Sequence, residues 1–420
     1  MMMKKLFTIL FALCLCMSAL AADKVKVTVS NSLSFARGDE YVELDVNALK
    51  SKLGTDGSLV VTDADGREVA SQLTYDGKLI FQVGVPAKGK SVYYVEAGTP
   101  SAYEQKVFGR QFPERVDDIA WENNRVAFRC YGPALQKSGE RAWGYDIWNK
   151  RTDKLVVEER YAGELDPEIA SVCKKLRARG ENALADDLYN SVSYHVDHGN
   201  GMDCYKVGPT LGAGTTAILE NGGKDIRYPR CYTTYEILDK GPLRFTVKLI
   251  YGTETIEGQQ VVETRVISLD AGSQMNKAVV SYSGLSKAMP IATGIIVHNE
   301  NPSAYVLNEK AGYMGYEDLG DPNQYKEKYR AKQNKDFGKI YVGAVLAKPN
   351  ASMEFRAGEG LPGACGHILA ISNYQGADYT YYFGTGWSRN PATDFQSMTS
   401  WEAYLSRFAE QVQSPLKVKF

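Results

Sequence analysis

The sequence predicts a mainly β protein, with a small N-terminal β-sandwich followed by a large antiparallel β-sandwich that carries a few helices. Three observations predict it. Apolar runs of strand length recur along nearly the whole chain, among them 78–83, 91–96, 278–282, 294–297, 340–346, 367–371 and 379–383. They are too short to be ordinary helices. Turn signals at Asp56-Gly57, Asp65-Gly66 and Asp76-Gly77 punctuate the first part, as in antiparallel strands joined by hairpins. More than ten strands in one region of about 300 residues cannot stay a flat open sheet; they must stack or close.

Residues 1–22 have the form of a secretory leader: Lys4 and Lys5, an apolar run from Leu6 to Met17, and the small-x-small site Ala19-Leu20-Ala21. A periplasmic or secreted protein is expected, with no membrane span, because no later stretch reaches the ~20 apolar residues a spanning helix needs. Residues 23–105 form the first sandwich. Val25, Val27 and Val29 alternate, as do Val42, Leu44 and Val46, and strands follow at 58–62, 78–83 and 91–96. Gly98 to Lys106 is the linker into the large domain, residues 106–420.

That domain opens with two strands over 120–129, turned at Asn123-Asn124, and an aromatic cluster at 143–148 around Asp146. Asp166-Pro167-Glu168 starts a helix with a cap, proline in the first turn and an acidic side chain; Ile169, Val172, Cys173 and Leu176 follow at helical spacing. Gly180 breaks it, and a second short helix runs from Glu181 to Tyr189. Strands then dominate until Thr399-Ser400-Trp401-Glu402, a capping box for a helix whose stripe is Trp401, Tyr404, Leu405, Phe408 and Val412. Leu416, Val418 and Phe420 close with a strand.

With 49 basic and 50 acidic side chains, the net charge is −1, which gives no electrostatic reason for nucleic acid or an anionic membrane as partner. An acidic ligand held by a few local arginines stays open. Five cysteines lie beyond the leader (Cys130, Cys173, Cys204, Cys231, Cys365), mostly expected as buried thiols. The 27 tyrosines, against 14 phenylalanines, lean toward carbohydrate, since tyrosine joins a stacking face to a hydroxyl.

The stretch Tyr194 to Gly214 is the first candidate site. It holds two of the four histidines, His195 and His198, interleaved with Asp197 and Asp203 on a glycine-rich backbone. Imidazoles there can serve as acid and base near neutral pH. Asp197, Asn200 and Asp203 are oxygen donors at calcium-like intervals without a full calcium loop, so no cofactor is expected beyond that weak Ca²⁺ alternative. His298 leaves a strand with Glu300 two residues on, which on a continuing strand would share its face. His367 stands among apolar residues and is expected as a satisfied core histidine. Arg227-Tyr228-Pro229-Arg230 is the natural dock for a uronate carboxylate. Trp387, between Gly386 and Arg389, is a stacking platform, and Tyr145 and Trp148 are candidates for the same part. The chain has no nucleophile elbow, phosphate-binding glycine loop, dinucleotide fingerprint or paired-cysteine motif, which excludes serine hydrolase, nucleotide and redox-cofactor readings.

The segments 194–214, Tyr131-Gly132-Pro133, Gly144 to Trp148 and Tyr382 to Trp387 together resemble a family of exported bacterial proteins catalogued as domain of unknown function 4861, over nearly the whole mature chain. That family is similar to the galactose-mutarotase-type β-supersandwich, and its members accompany machinery that digests pectin-like polysaccharides. The resemblance implies carbohydrate work, with acid–base roles carried by fold-level analogy alone. The expected function is cleavage of a uronate-containing oligosaccharide by β-elimination. Arg230 or Arg227 neutralises the carboxylate, His198, His298 or a tyrosine takes the proton, and Tyr145 or another histidine protonates the leaving oxygen. The alternatives are hydrolysis by two of Asp146, Asp197, Asp203 and Glu300, or non-catalytic glycan binding.

Overall fold

The structure, a computed structural model, describes residues 24–319, 337–349 and 351–420. The leader expected over 1–22 lies outside the described residues. Strand Lys24–Ser30 buries Val25, Val27 and Val29, as its alternation requires, and pairs antiparallel with Lys90–Ala97. Leu59–Asp63 and Glu68–Val69 extend that sheet; Arg37–Asp45, Lys78–Val85 and Ser71–Leu73 form a second, and the two enclose a small core around Val27, Leu44, Phe81 and Val95. The alternation does not carry Val46 into a strand. Asp45 accepts a hydrogen bond from the Ala48 N–H at 3.0 Å and so caps a helix, Val46–Leu53, which stops at Gly54 with φ 59°.

The last strand, Lys417–Lys419, was expected to close the large domain. It instead pairs with Lys24–Ser30, Ser30 opposite Lys417 and Thr28 opposite Lys419, and edges the N-terminal sheet. Arg37 latches the approach to it, donating to the carbonyls of Ser414 at 2.7 Å and Gln411 at 3.2 Å.

The large region is mainly β, as the sequence predicts. A nine-stranded antiparallel sheet has Gln259–Asp270, Met275–Ser283, Tyr379–Trp387 and Ile340–Leu346 at its centre. Two five-stranded sheets face it, one built around Ala213–Glu220, Met289–His298 and Ala364–Tyr374, the other around Asp118–Asn123, Ala127–Cys130 and Asp146–Lys150. Their inner faces form one continuous core that includes Trp121, Tyr145, Ile267, Val280, Ile296 and Phe383. The outer face of the large sheet is partly covered by helix Met398–Gln413, which lays Trp401 and Leu405 on Tyr341 and Val345. Gly343 is what lets it approach: a Cβ there would stand 2.6 Å from Leu405 Cδ2. The helix begins two residues before the expected box, with Ser397 as cap and Ser400 as its reciprocal partner.

Helix Pro167–Ala178 starts as expected, Asp166 accepting from the N–H groups of Glu168 and Ile169 at 2.8 and 3.1 Å. Of its apolar stripe only Cys173 is buried, and Val172 faces solvent. Among the described residues no helix is long and apolar enough to cross a membrane. All five cysteines are free thiols; Cys130, Cys173 and Cys204 are buried.

Candidate functional site

Strand Gln259–Asp270 sends Val261, Glu263, Arg265, Ile267 and Leu269 to one face, since side chains of a strand alternate. Two charged residues therefore enter the inter-sheet core. Arg265 is fully buried, and such a charge is tolerated only when its donors are matched. Its Nε donates to Glu263 Oε1 at 2.6 Å, Nη1 to the Tyr145 hydroxyl at 3.2 Å, and Nη2 to the Thr216 carbonyl at 3.1 Å. Its guanidinium also lies 4.4 Å over the Tyr251 ring. Glu263 accepts further from the hydroxyls of Thr216 (3.2 Å) and Tyr282 (3.4 Å). Burial drives the Tyr282 and Tyr251 hydroxyls well above the usual phenol range, so both hold their protons.

Glu263, Tyr251 and Tyr282 of this network line a cleft of about 280 Å³ between the large sheet and Ile218 of strand Ala213–Glu220. Glu254, Tyr251 and Cys231 line its wall, and Arg227 and Arg230 its mouth. Arg227 is engaged: Nε and Nη2 donate to Glu254 at 2.9 and 2.7 Å, and Nη1 reaches Glu220 at 3.4 Å. Arg230 is not. Its side chain is 73% exposed, and among the described residues it pairs with Glu254 alone, at 3.5 Å. The Cys231 thiol is pushed up to about 11 by burial, which leaves it a poor nucleophile.

The sequence-chosen residues divide among four places. Arg227 and Arg230 line this cleft, whereas Tyr145 lies behind it, hydrogen-bonded to Arg265. Tyr145 itself is buried and stacked on Phe383 at 4.4 Å, inside the core rather than on a platform.

A second group is a buried charge cluster. Arg129 Nε donates to Asp146 at 2.8 Å and Nη2 to Asp203 at 2.9 Å, with the Tyr131 hydroxyl 2.8 Å from Asp146. Trp148 packs beside it, and His195 Nδ1 lies 3.2 Å from the Asp203 carbonyl. Burial, opposed by Arg129, lifts the Asp146 carboxyl to about 6.

The third group joins Asp197, Arg151 and Arg389: Asp197 Oδ2 is 2.9 Å from Arg151 and 3.4 Å from Arg389, whose guanidinium lies 5.5 Å from the Trp387 ring. Trp387 is buried, its indole N–H given to the Phe337 carbonyl at 2.8 Å. Exposed His198 contacts the Ser193 carbonyl at 3.1 Å nearby in sequence. The carboxylates of Asp197 and Asp203 thus face different arginines rather than one calcium-sized point, and Asn200 offers its carbonyl to Arg160 at 2.9 Å.

His298 forms the fourth. Its strand ends at His298, so alternation does not extend to Glu300, which is exposed while His298 is 3% exposed. Its partner is Asp318 at 3.1 Å on Nδ1, with the Lys206 carbonyl at 2.9 Å on Nε2. His367 is the satisfied core histidine expected. It accepts from the Leu211 N–H at 3.2 Å, and burial lowers its pKa to about 3.

Sequence reasoning missed Glu254, Glu263, Arg265, Tyr251 and Tyr282. The available signal was two charges on the apolar face of one alternating strand.

Fold and site define a two-part, mainly β protein whose large antiparallel sandwich carries a ligand-sized, charge-lined cleft between its sheets. The chain belongs to the family described as Domain of unknown function (DUF4861), matched over residues 29–418. It is 25% identical, over 93% of its length and 92% of the relative's, to "Uncharacterized protein P7" of Formosa agariphila. Among solved structures it is similar to an alpha-mannosidase from Enterococcus faecalis V583 (10% identity, 94% of this chain, 46% of that one, TM-score 0.47). A glycosyl hydrolase family 38 protein from Enterococcus faecalis is similar too (8%, 94%, 47%, TM-score 0.46). The chain spans less than half the length of these two solved proteins.

Proposed function

We propose that this protein is an exported carbohydrate-active enzyme that cleaves a uronate-containing oligosaccharide in the inter-sheet cleft. The observation that carries the reading is Arg230, an exposed guanidinium held among the described residues by a long ion pair to Glu254, in a cleft also lined by Glu263 and Tyr282. A substrate carboxylate pairs its charge with two of the guanidinium donors, a stronger contact than the hydroxyls of a neutral sugar make. Neutralising that carboxylate acidifies the adjacent C5–H. Glu263 takes the C5 proton, the C4–O bond breaks as C4=C5 forms, and the protonated Tyr282 hydroxyl gives its proton to the leaving oxygen. The Tyr282–Glu263 hydrogen bond then returns the proton from the carboxyl to the phenolate and resets both groups. No histidine lines the cleft, and in this reading the Glu–Tyr pair does the acid–base work in place of the histidines chosen on sequence.

A second reading is favoured by one specific observation: Glu254 and Glu263 line the same cleft, as the two carboxylates of a hydrolase would. Absorbance near 235 nm, followed with reducing-end release on a panel of uronate oligosaccharides, separates them. Elimination raises both signals, and hydrolysis raises reducing ends alone. Absence of both refutes cleavage.

A further inference from the structure

A second cavity lies elsewhere. A groove of about 380 Å³ runs between strand Arg37–Asp45 of the N-terminal module, the outer face of the large sheet and the last turns of helix Met398–Gln413. Parity places it opposite the inter-sheet cleft: Glu263 and Tyr282 point inward from their strands, while Ser268, Asp270, Lys277 and Tyr382 point outward.

Its walls mix apolar side chains, among them Met275, Phe408 and Leu416, with charged ones, and the carboxylates, Asp39 included, outnumber the cations by one. Arg37, 1% exposed, is clamped on both Glu40 oxygens and on the Ser414 and Gln411 carbonyls. Arg244 holds Asp270 through Nε (2.5 Å) and Nη2 (2.8 Å) and Glu43 through Nη1 (2.6 Å). The carboxylates of Glu40, Glu43 and Asp270 are therefore oriented acceptors that need no rearrangement to meet hydroxyl groups. Tyr382 stands beside them, its ring edge-on to Phe408 at 5.2 Å, and burial together with Asp270 and Glu43 pushes its hydroxyl up to about 12. Lys277 is exposed on the same face and forms no ion pair with a described carboxylate.

We propose that this groove is a second saccharide-binding site, which holds an acidic sugar unit away from the cleft. An aromatic ring offers the apolar face a sugar stacks on, the clamped carboxylates accept its hydroxyls, and the spare Lys277 ammonium takes its acidic group. The choice of an acidic saccharide rests on the reading given above; the groove's geometry does not.

The test is calorimetric titration of the whole chain with a panel of uronate oligosaccharides, run on Arg230→Ala so that the cleft is weakened and the groove is read. One binding event is expected to remain, with Kd raised at least about tenfold by adding Lys277→Ala or Tyr382→Ala and restored by Lys277→Arg. Loss of all binding in Arg230→Ala refutes the groove, as does binding indifferent to Lys277 and Tyr382. Cleavage by the native chain with a silent groove leaves the enzymatic reading standing. Lys277-dependent binding without any cleavage leaves the groove standing and removes the enzyme.

Discussion

Replacing Arg265 by methionine keeps most of its volume and removes its charge. Glu263, whose side chain is 12% exposed, then loses its 2.6 Å partner and keeps only the two hydroxyls of Thr216 and Tyr282. Breaking a buried pair from one side costs about 3–5 kcal/mol, because the remaining charge stays desolvated. The surviving hydroxyl donors place this case at the lower end, near 3 kcal/mol, and the freed Tyr145 hydroxyl and Thr216 carbonyl each add a smaller loss. Adding Glu263→Gln removes the stranded charge, so the double variant should recover about half of that loss. Urea unfolding of the native chain, the two singles and the double gives the cycle. A single-variant cost below about 1 kcal/mol, or a double variant no better than Arg265→Met, refutes the claim that the two charges enter the core as a compensated pair.

Arg230→Ala should lower kcat/KM on uronate oligosaccharides about 10–100-fold, the worth of one charged hydrogen-bond pair, while thermal stability moves within about 0.5 kcal/mol; equal loss on neutral sugars contradicts carboxylate recognition. His367 has a depressed pKa, so it contributes stability that is present above about pH 6.5 and is lost as pH falls toward 3, by up to about 1.4 kcal/mol per unit. Its ring resonances should stay unshifted from pH 8 to 4, and a titration near 6.5 refutes this. The opposite sign applies at His298. Burial pulls its pKa down but Asp318 outweighs it, so its contribution is complete below about pH 6.5 and declines as pH rises past the raised value. Asp318→Asn should remove that decline from the stability profile. Gly343→Ala should cost about 1–3 kcal/mol by overpacking Leu405, read from urea midpoints, and adding Leu405→Ala should recover part of it.

Local pattern made the N-terminal strands legible: alternating valines between Asp-Gly turns leave little choice of element or face. It failed where a single side chain overrules the pattern, as Asp45 does by capping a helix inside an apparently continuing alternation. The site was half legible. Arg227 and Arg230 announce themselves three residues apart around a proline, but their partner Glu254 lies on a later hairpin, and Arg265 meets Tyr145 across a sequence gap that only the sheet packing closes. The irregular alternation over 261–268 carried the missing information, since Glu263 and Arg265 sit where apolar residues were due. His298 shows the same limit: its visible neighbour Glu300 turns to solvent, and Asp318 reaches it from another strand.

The pairing of Lys417–Lys419 with Lys24–Ser30 bears on how the molecule is made. Whether the chain emerges from a ribosome or from an export channel, the first sheet's other strands arrive early, yet its outermost position is filled only when Lys417–Lys419 follows. Throughout that interval the Lys24–Ser30 strand offers an unpaired backbone edge to any neighbour that can add a strand. Loss of Lys417–Lys419 would leave that edge open in the finished molecule as well.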